Sequence, residues 1–222
     1  ILMKSKLISV NNLKVSSENK NLVKGISFDL HKNEILGIIG ESGSGKSLTA
    51  LSILSLIKFK GLNQSGEIFY DDELIDKNNQ YNIIKNEISI IFQDPMSYLN
   101  PSMKCGEQIS EALKIKDKNQ VLGLISKVKI DEPILTYNKY PHQLSGGQQQ
   151  RIMIAIAIAK EPNLIIADEA TSSLDSLIKK DIINLLMELK NEYKLSLIIV
   201  SHNLNLISKI SNYVLVMNDG LI

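Results

Sequence analysis

Gly40, Glu41, Ser42, Gly43, Ser44, Gly45, Lys46 and Ser47 form the strongest chemical signal in the chain, satisfying the pattern G-x-x-x-x-G-K-[ST]. A compact apolar run at 34–40 precedes them. After them, at 46–57, Leu48, Leu51, Leu54 and Ile57 recur near helical spacing. Strand, glycine-rich turn and helix is the setting in which this pattern binds phosphate. The glycines let backbone N–H groups turn inward, and the helix N-terminus adds its positive end. In such a loop Lys46 reaches the β- and γ-phosphates of a nucleotide, and the Ser47 hydroxyl coordinates Mg²⁺. A plain glycine-rich turn is the ordinary alternative, and the flanking strand and helix weigh against it.

A second signal, an acidic pair, lies at Asp168 and Glu169, at the end of the apolar run Leu164, Ile165, Ile166 and Ala167. A carboxylate at the end of a buried strand is costly unless a cation satisfies it. Asp168 suits Mg²⁺, and Glu169 suits the orientation or deprotonation of an attacking water. Alone, such a strand end is common; beside a phosphate loop it acquires a role. His202 follows another apolar run at 195–200, and adjacent strand ends in such sheets converge on a ligand crevice. His31 and His142 read as structural, and the sequence offers no His/Cys cluster for a structural metal.

The elements that must position these groups alternate. Strands are expected at 7–10 and 26–30 with a polar turn at 16–21, then at 34–40, 66–70, 88–93, 164–167, 195–200 and 213–217. Helices are expected at 46–57 and 175–190. Between Pro95 and Gln143 the pattern turns helical and polar, broken by Pro101, Pro133 and Pro141, as an inserted subdomain would be. The short, wholly apolar strands imply a parallel sheet covered on both faces. Residues 152–159 alternate strictly, which suggests a strand. The alanines, the preceding Ser-Gly-Gly turn and the following Pro162 favour a buried helix instead.

Composition bounds the partners. The chain has 222 residues, 44% hydrophobic and 22% charged, enough for one domain with a large core. A net charge of +1 is unlike the basic excess of a nucleic-acid binder, so no nucleic acid is expected. No run approaches the length of a membrane span, residues 1–10 lack a secretory pattern, and the single Cys105 fits a reducing cytosol. Membrane association is expected through a partner. Arg151 is the only arginine, a place where lysine is expected not to replace the guanidinium.

At Leu144, Ser145, Gly146, Gly147, Gln148, Gln149, Gln150 and Arg151 the sequence resembles the signature of ABC transporter ATPases, which P-loop ATPases in general lack. Gln93, within Ile91, Phe92, Gln93, Asp94 and Pro95, resembles the Q-loop, which contacts Mg²⁺ and the transmembrane partner. Ser173, Leu174 and Asp175 resemble the D-loop, and His202 the switch histidine. The resemblance covers nearly the whole chain. It implies an α/β fold: a P-loop core with a parallel sheet, an antiparallel β subdomain and an inserted helical subdomain. Residues 1–94 and 144–222 would form the core with the β subdomain, and 95–143 the helical subdomain. It implies ATP and Mg²⁺ as ligands. Residues 40–47, Leu48, Gln93, Ser145, Gly146, Gly147, Gln148 and Asp175 would bind nucleotide, and Ser47, Gln93 and Asp168 would hold the metal. Lys46, Gln93, Glu169 and His202 would be catalytic. The signature would bind the γ-phosphate held by the opposite cassette. A second ATPase subunit, the same chain or another, transmembrane permease subunits and an extracytoplasmic solute-binding protein are the implied partners, at the cytoplasmic face of the membrane.

The stretch from Ile91 to Pro101 and the run Tyr140, Pro141, His142, Gln143, Leu144 resemble the oligopeptide, dipeptide and nickel importer branch. Two departures stand out. Ala170 follows Glu169 where the family usually has proline, which is expected to loosen the turn. Ser16 and Ser17 stand where an aromatic usually stacks on adenine, with Val23 as a possible apolar substitute. That branch normally continues beyond the strand at 213–217, so further chain after Ile222 is expected.

Overall fold

The computed structural model describes residues 5–113, 117–170 and 175–222. Two long strands, β1 (Lys6–Ser16) and β2 (Asn21–His31), open the chain as an antiparallel hairpin. In β1 the side chains of Ile8 and Val10 face inward, and so do Leu13 and Val15, out of phase with strict alternation. The register slips between Val10 and Leu13, where Asn12 takes φ 49°, so a bulge restores the inward face. That bulge carries both strands well past the lengths expected at 7–10 and 26–30.

β3 (Ile35–Gly40) leads to α1 (Lys46–Ile53) and a 3₁₀ turn at Ile57–Lys60. The helix is shorter than the expected 46–57, because Ser55 takes φ 55° and breaks it. β4 (Asn63–Tyr70) and β5 (Glu73–Leu74) complete a four-stranded antiparallel sheet in the order β2-β1-β4-β5. α2 (Gln80–Glu87) then runs into β6 (Ile88–Ile91).

Next come α3 (Pro95–Tyr98), α4 (Cys105–Ala112), α5 (Lys118–Lys127), α6 (Pro133–Asn138) and a 3₁₀ turn at Pro141–Gln143. α7 (Gly146–Ala159) follows and is helical through the alternating stretch. It is buried nearly all round, which explains why no one-sided stripe marks it. β7 (Leu164–Asp168), α8 (Ser176–Tyr193), β8 (Ser196–Val200), α9 (Leu204–Ile210) and β9 (Tyr213–Met217) finish the described fold.

β6, β7, β8, β3 and β9 form a parallel sheet in that order. Leu36, Ile38, Ile166 and Ile198 pack into the core shared with α1 and the antiparallel sheet. Ile35, Ile39, Ile165 and Ile199 pack into the core beneath α7 and α8. Both faces are thus dry, as the apolar strands require. The order also sets β3, β8 and β7 side by side. The phosphate loop, His202 and the Asp168–Glu169 pair therefore leave the sheet at the same C-terminal edge.

Candidate nucleotide site

The loop after β3 is built on close backbone approach. A Cβ on Gly40 would lie 2.1 Å from the Met217 carbonyl oxygen of β9, so only glycine fits. Gly45 caps α1 at φ 101°, and its carbonyl accepts from the Thr49 N–H at 2.9 Å and the Thr49 hydroxyl at 3.0 Å. Lys46 is 4% exposed, and its Nζ donates to the carbonyls of Gly40 at 2.9 Å and Glu41 at 2.8 Å. Burial holds the Lys46 ammonium below the usual lysine range, partly opposed by the charges of Glu169 and Asp168. The Ser44 hydroxyl is buried without a hydrogen-bond partner among the described residues.

The Ser47 hydroxyl donates to Asp168 Oδ1 at 2.9 Å, joining the loop to the end of β7. Burial raises the Asp168 carboxyl above its ordinary range; the Ser47 hydrogen bond and Lys46 pull the other way. Next to it, Glu169 sits at φ 49°, an uncommon conformation for a side-chain-bearing residue. Its N–H is tied to the Val200 carbonyl of β8 at 3.1 Å. Proline at 170 would restrict the backbone of the preceding residue; Ala170 imposes no such restriction. His202 bridges two parts of the site: Nε2 lies 2.5 Å from Glu169 Oε1, and Nδ1 lies 3.0 Å from the Gly40 carbonyl.

These groups enclose a cleft of about 480 Å³, lined by Ser42, Gly43, Gly45, Lys46, Ser47, Leu48, Gln93, Glu169 and His202. Leu22, at the start of β2, also lines it. Sequence reading missed Leu22 because the strand was expected to begin at 26. Neither Ser16 nor Ser17 is among the cleft residues: Ser16 pairs with Asn21 and Asn63, and the Ser17 N–H bonds to the Lys20 carbonyl in the hairpin turn. Val23, the apolar substitute considered above, is 1% exposed and belongs to the core.

The signature residues stand apart from this cleft. Ser145 is the exposed N-cap of α7. Its hydroxyl accepts from the Gln148 N–H at 3.3 Å, and Gln148 Oε1 accepts from the Ser145 N–H at 3.1 Å. Gly146 and Gly147 form the first turn, where the free N–H groups of a helix point outward. Asp175 is the exposed N-cap of α8 and makes no side-chain capping bond. Ser173 and Leu174 lie outside the described residues. Among the described residues Arg151 makes one hydrogen bond, from Nη1 to the Val128 carbonyl at 2.8 Å, rather than a two-pronged contact. His31 lies 3.3 Å from Glu34, and the His142 ring stacks on Tyr140. Among the described residues no group of three or more His, Cys, Asp or Glu gathers at metal-binding distance.

A parallel sheet that brings a phosphate loop, an acidic strand end and a histidine to one edge, with a glycine-opened helix elsewhere, defines a class. The chain belongs to the ABC transporter family, whose sequence model matches residues 23–172. It is 39% identical over 208 residues to the dipeptide transport ATP-binding protein DppD of Escherichia coli strain K12, covering 89% of this chain. It spans 64% of the length of that relative. DppD of Bacillus subtilis strain 168 is 39% identical over 231 residues, covering 97% of this chain and 69% of its own. Among solved structures, the ATP-binding cassette MJ0796, a dimer in a post-hydrolysis state bound to ADP and Pi, superposes with a TM-score of 0.81. It is 26% identical, covering 97% of this chain and 96% of that one.

Proposed function

We propose that this chain binds and hydrolyses ATP as the motor subunit of a membrane importer, with small peptides as the cargo. The single observation that carries the reading is the junction at one sheet edge of Lys46, Ser47–Asp168 and Glu169–His202. The relatives named for dipeptide transport support the cargo class. The resemblance of the Q-loop region also left nickel open as cargo.

ATP's phosphates fit the loop. Its glycines leave no side chain over the cradle, and the buried Ser44 hydroxyl has hydrogen-bonding capacity to spare. Lys46 would exchange its two loop carbonyls for phosphate oxygens. The hard-oxygen pair of Ser47 and Asp168, with Gln93 lining the same cleft, suits Mg²⁺. Bound there, Mg²⁺ would supply charge neutralisation to the phosphates. Glu169, held by Val200 and His202, would take the water's proton or fix its direction. His202, anchored on Gly40, would hold Glu169 and the γ-phosphate end in register.

The reading includes two chains. Ser145, Gly146, Gly147 and Gln148 are not among the residues lining their own cleft and would close that of a second cassette, with Asp175 at the same junction. The dimeric state of the MJ0796 cassette supports this. Attachment to the membrane would come through permease subunits, since no described helix is long and apolar enough to cross a membrane. The exposed Met96 and Tyr98, just after Gln93, offer the apolar contact for such a partner. A solute-binding protein would deliver cargo from the other side. The division into a core at 1–94 with 144–222 and a helical subdomain at 95–143 is supported by the strands, all of which fall outside 95–143 among the described residues.

The test is Glu169→Gln. ATP affinity should persist while phosphate release falls at least 100-fold, and Lys46→Ala should weaken binding itself. Phosphate release at the wild-type rate in the Glu169→Gln protein would refute the assignment.

A further inference from the structure

Away from the nucleotide cleft, a pocket of about 400 Å³ lies beside β6, between the ends of α1 and α7 and the length of α2. Leu54, Leu56, Ile84 and Ile88 supply aliphatic walls. β6 is the outermost strand of the parallel sheet, so its far edge has no strand partner among the described residues. Two polar groups break the apolar lining. Ser89, in the middle of β6, is 3% exposed and its hydroxyl has no hydrogen-bond partner among the described residues. A buried hydroxyl without a partner is costly and uncommon in native proteins.

The second group is Lys160, the residue that ends α7, half-buried with no carboxylate paired to it among the described residues. Lys85, of like sign, lines the same pocket. Burial, and then the charge of Lys85, hold the Lys160 ammonium below the usual lysine range. The carbonyls at the end of α7 offset only part of that cost. A half-buried cation facing an apolar pocket, beside an unpartnered hydroxyl donor, is complementary to an anion with a hydrocarbon body. Two lysines repel an ammonium, which disfavours amino acids and free peptides. One half-buried cation and one hydroxyl suit a singly charged carboxylate better than a phosphate dianion.

We propose that this pocket binds a small aliphatic carboxylate, its chain against Leu54, Leu56, Ile84 and Ile88 and its carboxylate toward Lys160 and the Ser89 hydroxyl. The site is separate from the nucleotide cleft, so ligand is read without nucleotide and the two readings fail independently.

The experiment is calorimetric titration of the nucleotide-free protein with sodium hexanoate, sodium octanoate and hexan-1-ol. Hexanoate should bind with one site per chain. Each added methylene should tighten binding about fourfold until the pocket is filled. Hexanol should bind at least tenfold more weakly than hexanoate. Lys160→Met should lower hexanoate affinity at least tenfold, and Ile84→Trp, which fills the pocket, should abolish binding. Both variants should keep wild-type ATP affinity, which shows that they fold. Wild-type hexanoate affinity in both variants, or hexanol binding as tightly as hexanoate, would overturn the proposal. Absence of binding by all three probes would also overturn it.

Discussion

Leu22 and Asp168 carry the two residue-scale consequences of the site. Leu22, with Leu48, lines the cleft and in the proposed reading would lie against the base in place of the family's aromatic, while Ser16 and Ser17 are engaged in the hairpin end. A leucine covers a base without the stacking of a ring, worth about 1–3 kcal/mol per base in comparable contacts. Leu22→Tyr should therefore tighten ATP binding by about tenfold or more. Wild-type protein should discriminate only weakly between ATP and GTP, because their phosphates are alike. Titration of both nucleotides against wild type and Leu22→Tyr measures this; strong ATP preference unchanged by tyrosine would contradict it. Asp168 has its carboxyl raised by burial, so its ionised form is less favourable in the folded chain than in the unfolded one. At neutral pH that charge lowers stability. Asp168→Asn should raise the Tm of the nucleotide-free protein, on a scale of roughly 2–4 °C for each kcal/mol relieved in a domain of this size. The same variant should lose the Mg²⁺-dependent part of nucleotide affinity. A lower Tm without nucleotide would show that the carboxylate is already compensated.

Elements were legible where local chemistry and burial agree. The phosphate loop, β7 ending at Asp168, and β9 at Tyr213–Met217 stand where the residues placed them. Helix α7 required more than periodicity: its alternation reads as a strand, while Ser145 as N-cap and the alanines decide for helix. α2 escaped notice because only Ile83 of its residues is buried, leaving no stripe to read. α9 has seven residues, too few for a period, although Asn203 accepts from the Leu206 N–H as a cap. The length of β1 was hidden by the Asn12 bulge, which shifts its apolar phase. Leu22 was missed for a different reason, since β2 was expected to start at 26 and starts at Asn21. Arg151 illustrates the opposite error. Its single bond to the end of α5 ties the signature helix to the inserted segment, and one donor can be supplied by lysine. Arg151→Ala should cost about 1.5–3 kcal/mol in denaturant unfolding, the range for hydrogen bonds to charged groups. Arg151→Lys should cost clearly less, and equal losses would restore the case for the guanidinium.

At the scale of the whole molecule the central claim is that one chain holds two halves of different sites. Lys46, Glu169 and His202 line one cleft, and Ser145 caps a helix elsewhere on the surface. Gly147 is a poor probe of the second half, because a Cβ there would lie 3.1 Å from Ile178 and disturb α8. Ser145 is exposed, and losing its cap costs only about 1 kcal/mol. The most direct measurement is phosphate release from an equimolar mixture of Lys46→Ala and Ser145→Arg chains. Each variant alone should be inactive, the first for want of nucleotide binding and the second with ATP binding intact. In the mixture the Ser145→Arg chain brings a sound phosphate loop and the Lys46→Ala chain a sound signature. Turnover should return to roughly a quarter of wild type, since half of the dimers are mixed and each keeps one of its two sites. No recovery although mixed dimers form, or wild-type turnover by Ser145→Arg alone, would contradict the shared site.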